Sequence, residues 1–395
     1  MYINRLAETQ LRSYLSSDKI IIILGARQVG KTTLIKHLSS AYKTTYLNLD
    51  IEADKARLIS LSHISPSDAL KNLGTTQLLI IDEAQRLPET ARIIKGWYDS
   101  SLPIKTILLG SSSLNLLDQS AENLTGRNVK LFLPPLTVQE ILQTQQWFSA
   151  TLPDSAIESE FNNSWQTFLL DRMVYGSYPE AVTTDDKQQY LLNLVNDYLL
   201  KDVFQSALLR SGEQIKQLLL HLAYQTGSLV SVNELARNIG VSRITINRYI
   251  DLLEKTFVIF KLPPYSTNMR NEIMRSSKIY FWDTGIRNAL LNDFSLSTQR
   301  IDLGQLWENW IIAEFAKTNL LNGQLSNLYH WQSKYGGEVD LIIKGANGMS
   351  AYEVKLTKKV PGNVRNFEDR YKISVKVINR SSYQTLINSL SLLSR

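Results

Sequence analysis

The residues with the clearest chemical content lie early in the chain. Gly25-Ala26-Arg27-Gln28-Val29-Gly30-Lys31-Thr32 fits the spacing G-x-x-x-x-G-K-[ST], with Thr33 following. Glycines let a backbone curl until its N–H groups point inward at phosphate oxygens. A helix beginning at Thr32 adds its N-terminal dipole to that cradle. In such a loop Lys31 reaches the β- and γ-phosphates and the Thr32 hydroxyl ligates Mg²⁺. The expected nucleotide-binding set is therefore Gly25 to Thr33, with ATP and Mg²⁺ as cofactors. About 50 residues later, Leu78-Leu79-Ile80-Ile81-Asp82-Glu83 is an apolar run ending in two carboxylates. Asp82 would hold the metal shell, and Glu83 would orient and polarise the attacking water. A third apolar run, Lys105–Leu109, ends in Gly110-Ser111-Ser112-Ser113, where Ser111 could meet the γ-phosphate or simply belong to a turn.

A second constellation lies near the C-terminus. Glu338-Val339-Asp340 and Tyr352-Glu353-Val354-Lys355 flank the turn signal Gly345-Ala346-Asn347-Gly348, which reads as a hairpin. A loop centred between Ala346 and Asn347 sets Asp340 opposite Glu353; a type I′ turn at Asn347-Gly348 sets it opposite Lys355. In either register Asp340, Glu353 and Lys355 project from one face. Glu308, on an expected amphipathic helix Leu306–Lys317, would complete the cluster. Carboxylates with a lysine suit a Mg²⁺ site in which Asp340 and Glu353 bind the ion and Lys355 supplies a donor. A cross-strand Glu353–Lys355 ion pair is the plainer alternative.

The elements that must position these groups follow from hydrophobic pattern. Ile20–Leu24, Thr44–Leu49, Leu78–Ile81 and Lys105–Leu109 read as strands separated by helix-length segments, the signature of βαβ units and a parallel sheet. From 151 the pattern turns helical, with Phe161–Val174 and Gln188–Val203 as helices. Ser231–Gly240 and Ile244–Glu254 then read as a helix-turn-helix, with Ser231 and Glu234 as a capping box. Arg243, Thr245, Asn247 and Arg248 stand where a recognition helix would meet DNA. Phe257–Leu262 and Lys278–Phe281, joined through Arg270–Arg275, would form its wing. The division expected is 1–150, 151–295 and 296–395.

The chain of 395 residues carries a net charge of +6. Residues 331–395 hold 11 Lys and Arg against 5 Asp and Glu, so the whole excess lies there. Lys355, Lys358, Lys359, Arg365, Arg370, Lys372, Lys376 and Arg380 form a basic segment suited to a polyanion. The absence of cysteine rules out disulfides, thiolate metal sites and cysteine nucleophiles. No apolar run approaches the ~18 residues of a membrane span, and the first residues carry no apolar secretory core. A cytoplasmic protein is expected. His37, His63, His221 and His330 show no ligand spacing.

The runs GARQVGKTTL, LIIDEAQRLPE and ILLGSSSLNLL, with Gly126-Arg127 before Leu133-Pro134-Pro135-Leu136, resemble prokaryotic AAA-type ATPases related to the archaeal origin-recognition group. The resemblance implies that Arg127 can complete the catalytic site; three readings stay open, a role in cis, a role in trans within an oligomer, or a mere pair with an acid. Gly176-Ser177-Tyr178-Pro179-Glu180, Tyr198–Val203 and Lys278–Gly285 resemble the C-terminal domain of uncharacterised function that accompanies these ATPases. Asp340 with Glu353-Val354-Lys355 resembles PD-(D/E)xK nucleases, including archaeal Holliday junction resolvases, although Val339 replaces the proline. The fold class expected is α/β: a P-loop AAA-type ATPase domain, a helical and winged-helix region, and a restriction-endonuclease-like domain. The function expected is an Mg²⁺-dependent ATPase that binds, and could cleave, DNA. The rival is an ATP-driven switch whose nuclease-like domain cuts nothing. A small-molecule kinase is disfavoured, because no acceptor-site signature follows the phosphate loop.

Overall fold

The computed structural model describes residues 2–110, 124–149, 159–199, 212–266, 276–333, 336–346, 348–357, 363–380 and 390. The chain divides into two compact units, Met1–Pro134 with Lys255–Phe257, and Pro135–Glu254 with Val258–Arg395. The regions read from sequence as 151–295 and 296–395 therefore share the second unit. Among the described residues, no helix is long and apolar enough to cross a membrane.

The first unit is built on five parallel strands: β1 (Ile20–Leu24), β2 (Thr44–Asn48), β3 (Leu78–Asp82), β4 (Lys105–Gly110) and β5 (Asn128–Phe132). Their order is β2-β3-β4-β1-β5. Every residue of β1 and β3 is buried, as expected of a parallel sheet covered on both faces. Because all five strands run the same way, their carboxyl ends share one edge, which gathers Leu24, Asp82 and Gly110. β4 separates β1 from β3, so the phosphate loop and the acids of β3 are two strands apart. The strand β5 is not visible in the sequence pattern: only Leu131 of its five residues is buried, and its register is set by pairing Ile20 with Asn128 through Leu24 with Phe132.

The second unit contains a four-stranded mixed sheet of β8 (Asn327–Gln332), β9 (Glu338–Gly345), β10 (Gly348–Val354) and β11 (Val375–Ile378), in the order β11-β10-β9-β8. Its hairpin adopts the first of the two expected registers, pairing Gly345 with Gly348 through Leu341 with Tyr352. Asn347 itself lies outside the described residues. Helices Val232–Ile239 and Arg243–Lys255 meet across Gly240, whose φ of 74° is the left-handed conformation that ends the first helix. Ser231 accepts the Glu234 N–H at its start. The strands β6 (Ile259–Leu262) and β7 (Lys278–Phe281) follow as an antiparallel pair. The loop Arg270–Arg275 lies outside the described residues, as does the end of the helix expected to reach Val203; its described part is Lys187–Asn193, continued as π-helix over Leu194–Leu199.

The helix expected at Leu306–Lys317 runs from Leu303 to Leu321 and is not amphipathic: it is buried on almost every side. Several of its buried polar residues are answered from within. Asn309 accepts from Thr226 Oγ1 at 2.6 Å and from the Phe281 N–H at 2.9 Å, and donates to the Phe281 carbonyl at 2.8 Å. It caps the edge of β7 as another strand would. Lys317 donates to the Leu136 carbonyl at 2.8 Å and pairs with Glu314, which accepts the Val138 N–H at 2.7 Å. Replacing Asn309 by Ala strands three buried polar groups. We expect Asn309→Ala to cost the second unit about 3 kcal/mol, measured by chemical denaturation; a loss below about 1 kcal/mol would show that water replaces the amide.

Candidate functional site

The first candidate site forms where β1 gives way to the helix Lys31–Ser39. Gly30, at φ 93°, lies in the left-handed region and turns the chain into that helix. Gly25 is required for another reason: a Cβ there would lie 2.2 Å from the Leu133 carbonyl oxygen. Gln28 adopts φ 61° without being glycine. The Lys31 ammonium is buried and donates to the carbonyls of Gly25 at 2.9 Å and Ala26 at 2.8 Å.

Across the sheet edge, Thr32 Oγ1 donates to Asp82 Oδ2 at 2.7 Å. Asp82 Oδ1 accepts the Glu83 N–H at 2.9 Å. Glu83 itself sits at φ 51°, and its carboxylate accepts from the Gln85 amide. A hydroxyl and a carboxylate converging at this distance fit Mg²⁺, a cation that takes oxygen ligands and retains water. Thr32 and Asp82 would hold it, and it would neutralise developing charge on the phosphates.

Two further residues at this site carry no sequence signature. Tyr46 donates its hydroxyl to Asp82 Oδ2 at 2.5 Å, and burial together with that carboxylate pushes its pKa well up. Arg5, also buried, donates to the Val29 carbonyl and to the Pro134 carbonyl, each at 2.7 Å. It thereby fixes the back of the phosphate loop. Tyr46, the middle residue of β2, comes near Asp82 only through the pairing of β2 with β3.

Arg127 does not join this site. Its carbonyl accepts the Ile20 N–H at the amino end of β1, about 16 Å of strand from the loop. Its guanidinium pairs with Asp99 at 2.6 Å. Of the three readings open from sequence, the structure displays the ion pair, and a cis role fails on position. Ser111 and its neighbours lie outside the described residues.

The second site is centred on the hairpin and differs from expectation. Asp340 is buried, accepts the Val354 N–H through Oδ2 at 2.8 Å and lies 3.8 Å from the Lys355 ammonium. Lys355 pairs with Glu353 at 2.8 Å, the plainer alternative noted above. Lys278 of β7, unread in the sequence, enters the cluster with 4% of its side chain exposed. Its Nζ lies 2.7 Å from Glu338, 3.1 Å from Glu308 and 3.5 Å from Asp340. Tyr280 also donates to Glu308, at 2.7 Å. Among the described residues, no group of three or more carboxylate or histidine side chains is arranged to hold a metal. Of the expected ligand set, Glu308 and Asp340 face the Lys278 ammonium and Glu353 pairs with Lys355. Lys358 and Lys359 lie outside the described residues.

Burial, reinforced by the Glu308 carboxylate and opposed by Lys278 and Lys355, lifts the Asp340 pKa to about 7. Burial works against the Lys278 charge, but Glu308, Asp340 and Glu338 outweigh it and raise its pKa.

Residues 17–142 match the family model described as "AAA domain". Residues 166–297 and 303–388 match two models, each described as a domain of unknown function (DUF8612 and DUF4143). With a parallel sheet and a phosphate loop after β1, the first unit is a P-loop ATPase domain of the AAA type. The chain is 28% identical over 357 residues to an uncharacterized protein of Mycobacterium tuberculosis, covering 89% of this chain and 73% of that one. An uncharacterized protein of Methanocaldococcus jannaschii is 27% identical, with 87% and 76% covered. One of Haemophilus influenzae is 22% identical, with 97% and 95% covered. Among solved structures, a Walker-type ATPase of Pyrococcus abyssi is 15% identical at a TM-score of 0.47, covering 73% of this chain and 96% of that one.

Two outcomes follow from this geometry. Tyr46→Phe removes one donor to Asp82 and should lower kcat for nucleotide hydrolysis about threefold to tenfold with KM little changed. An equal rise in KM would place Tyr46 in nucleotide binding. For Asp340, the folded state holds the proton more tightly than the unfolded chain, so stability is lost as the pH rises from 3.8 to about 7. Asp340→Asn should flatten that slope in denaturation measured across the interval; an unchanged slope would assign it to other groups.

Proposed function

We propose that this chain is an Mg²⁺-dependent ATPase that acts on DNA. The observation that carries the ATPase reading is the convergence of Thr32 and Asp82 at 2.7 Å beside a loop that holds the Lys31 ammonium. In this reading the loop N–H groups and Lys31 bind the phosphates, while Thr32 and Asp82 hold the metal. Glu83 polarises the attacking water from its fixed place beside Asp82. Arg127 could serve a neighbouring copy only after leaving Asp99, so its role in trans would require an oligomer and an opened ion pair.

The DNA reading rests on two surfaces of the second unit. The helix Arg243–Lys255 leaves Arg243, Asn247 and Arg248 exposed near its start, together with Ile244 at 80% exposure. An isoleucine so placed is open to contact with a base edge or methyl group. Arg365, Arg370, Lys372 and Lys376 are exposed as well and would hold the phosphate backbone. We assign the winged helix to the part within 151–295 and the nuclease-like fold to 296–395. Of the two readings of that last part, the lysine-filled acidic cluster favours a binding module that does not cut.

Lys31→Ala and Asp82→Asn should each lower ATP hydrolysis more than about 100-fold, and Glu83→Gln should do so while ATP binding persists. Undiminished turnover in the Asp82 and Glu83 variants would overturn the assignment. Arg243→Ala and Arg248→Ala should each weaken duplex DNA binding about fivefold or more and reduce the salt slope by about 1. Failure of the wild-type protein to retain DNA at low salt would remove the DNA reading and leave the ATPase.

A further inference from the structure

We infer that Lys278 is the resident cation of the acidic cluster, so that this centre is built to work without a divalent metal ion. The inference deepens the non-cutting reading of the C-terminal part and rests on it.

Three carboxylates from two elements converge on one ammonium: Glu308 from the helix Leu303–Leu321, and Glu338 and Asp340 from β9. Lys278 cannot easily leave. Its backbone pairs with Leu262 in β6 and bridges to Leu229, so the strand is held on both sides. Its side chain is almost wholly enclosed, and withdrawing the ammonium would deprive the buried Asp340 carboxylate of one of its two counter-charges, a costly change.

Several of the oxygens that a metal would need are also engaged. Glu308 Oε1 accepts from Lys278 and from Tyr280. Asp340 Oδ1 faces Lys278, and Oδ2 takes the Val354 N–H. Gly227 packs beside Glu308, where an added Cβ would lie 3.0 Å from Oε1. An ammonium donates along three directions at hydrogen-bond distance and accepts this spread of 2.7 to 3.5 Å. Mg²⁺ demands a near-octahedral oxygen shell at about 2.0–2.1 Å, and it would lie against the Lys278 charge. The cluster therefore ties the β6–β7 pair to the sheet and helix of the C-terminal part as an ionic joint.

The test is Mn²⁺ binding by nucleotide-free protein, followed by electron paramagnetic resonance of the free ion. An Asp82→Asn background silences the first site. With Lys278 present, no Mn²⁺ should be bound in a manner that Asp340→Asn abolishes. Lys278→Met should gain a site about tenfold tighter or better, lost again when Asp340→Asn is added. One Mn²⁺ per chain bound with Lys278 intact and lost in Asp340→Asn overturns the inference. So does a folded Lys278→Met protein that gains no site. Should Lys278→Met fail to fold, the comparison with and without Asp340→Asn decides alone. Cleavage of duplex and single-stranded DNA in Mn²⁺ is assayed on the same samples: cutting without any Asp340-dependent ion would remove the non-cutting reading while sparing the inference.

Discussion

A charge taken out of water has to be met by another charge or by aimed hydrogen bonds, and both clusters in this protein are shaped by that demand. Asp82 and Asp340 are each the buried acid of an inward strand, and each is answered differently. Asp82 is met by the hydroxyls of Thr32 and Tyr46 and by a backbone N–H. These neutral donors bring no counter-charge and can yield to a cation. Asp340 is met by two ammoniums and a backbone N–H, and part of its charge is already cancelled. Two acids of similar burial are thereby prepared for different work.

The helix Leu303–Leu321 shows the same demand on a larger scale. It lies in the interior and still carries Glu308 and Asn309, which hold β7, and Glu314 and Lys317, which hold the segment of Leu136 and Val138. Its polar side chains work as fasteners, and the apolar ones between them supply the burial that makes those fasteners effective.

What could be read in advance follows from how local each signal is. The strands β1, β3 and β4 announce themselves because a parallel sheet covered on both faces needs continuous apolar runs, whereas the edge strand β2 buries only Leu47. The strand β5 does not, since Asn128-Val129-Lys130-Leu131-Phe132 gains its place from pairing with β1. The shared face of Asp340, Glu353 and Lys355 follows from strand alternation, and the register from a loop of fixed length. Lys278, Tyr46 and Arg5 were out of reach, because each meets its partner across elements whose order no single segment reveals. A lysine opening the apolar run Lys278-Ile279-Tyr280-Phe281 was the available hint, and only its burial gives that hint meaning. The three readings of Arg127 could not be separated in the sequence, because nothing there says which edge of the sheet it occupies or that Asp99 lies beside it.

Arg5 changes where the ATPase domain begins as a physical object. The stretch shared with other AAA domains opens at residue 17, yet the phosphate loop leans on a guanidinium twelve residues earlier and on the Pro134 carbonyl. Excision at the boundary of sequence similarity would keep every signature residue and remove a brace that holds their loop. The smallest piece able to keep the nucleotide pocket in shape starts at the first residues of the chain, where no signature is written.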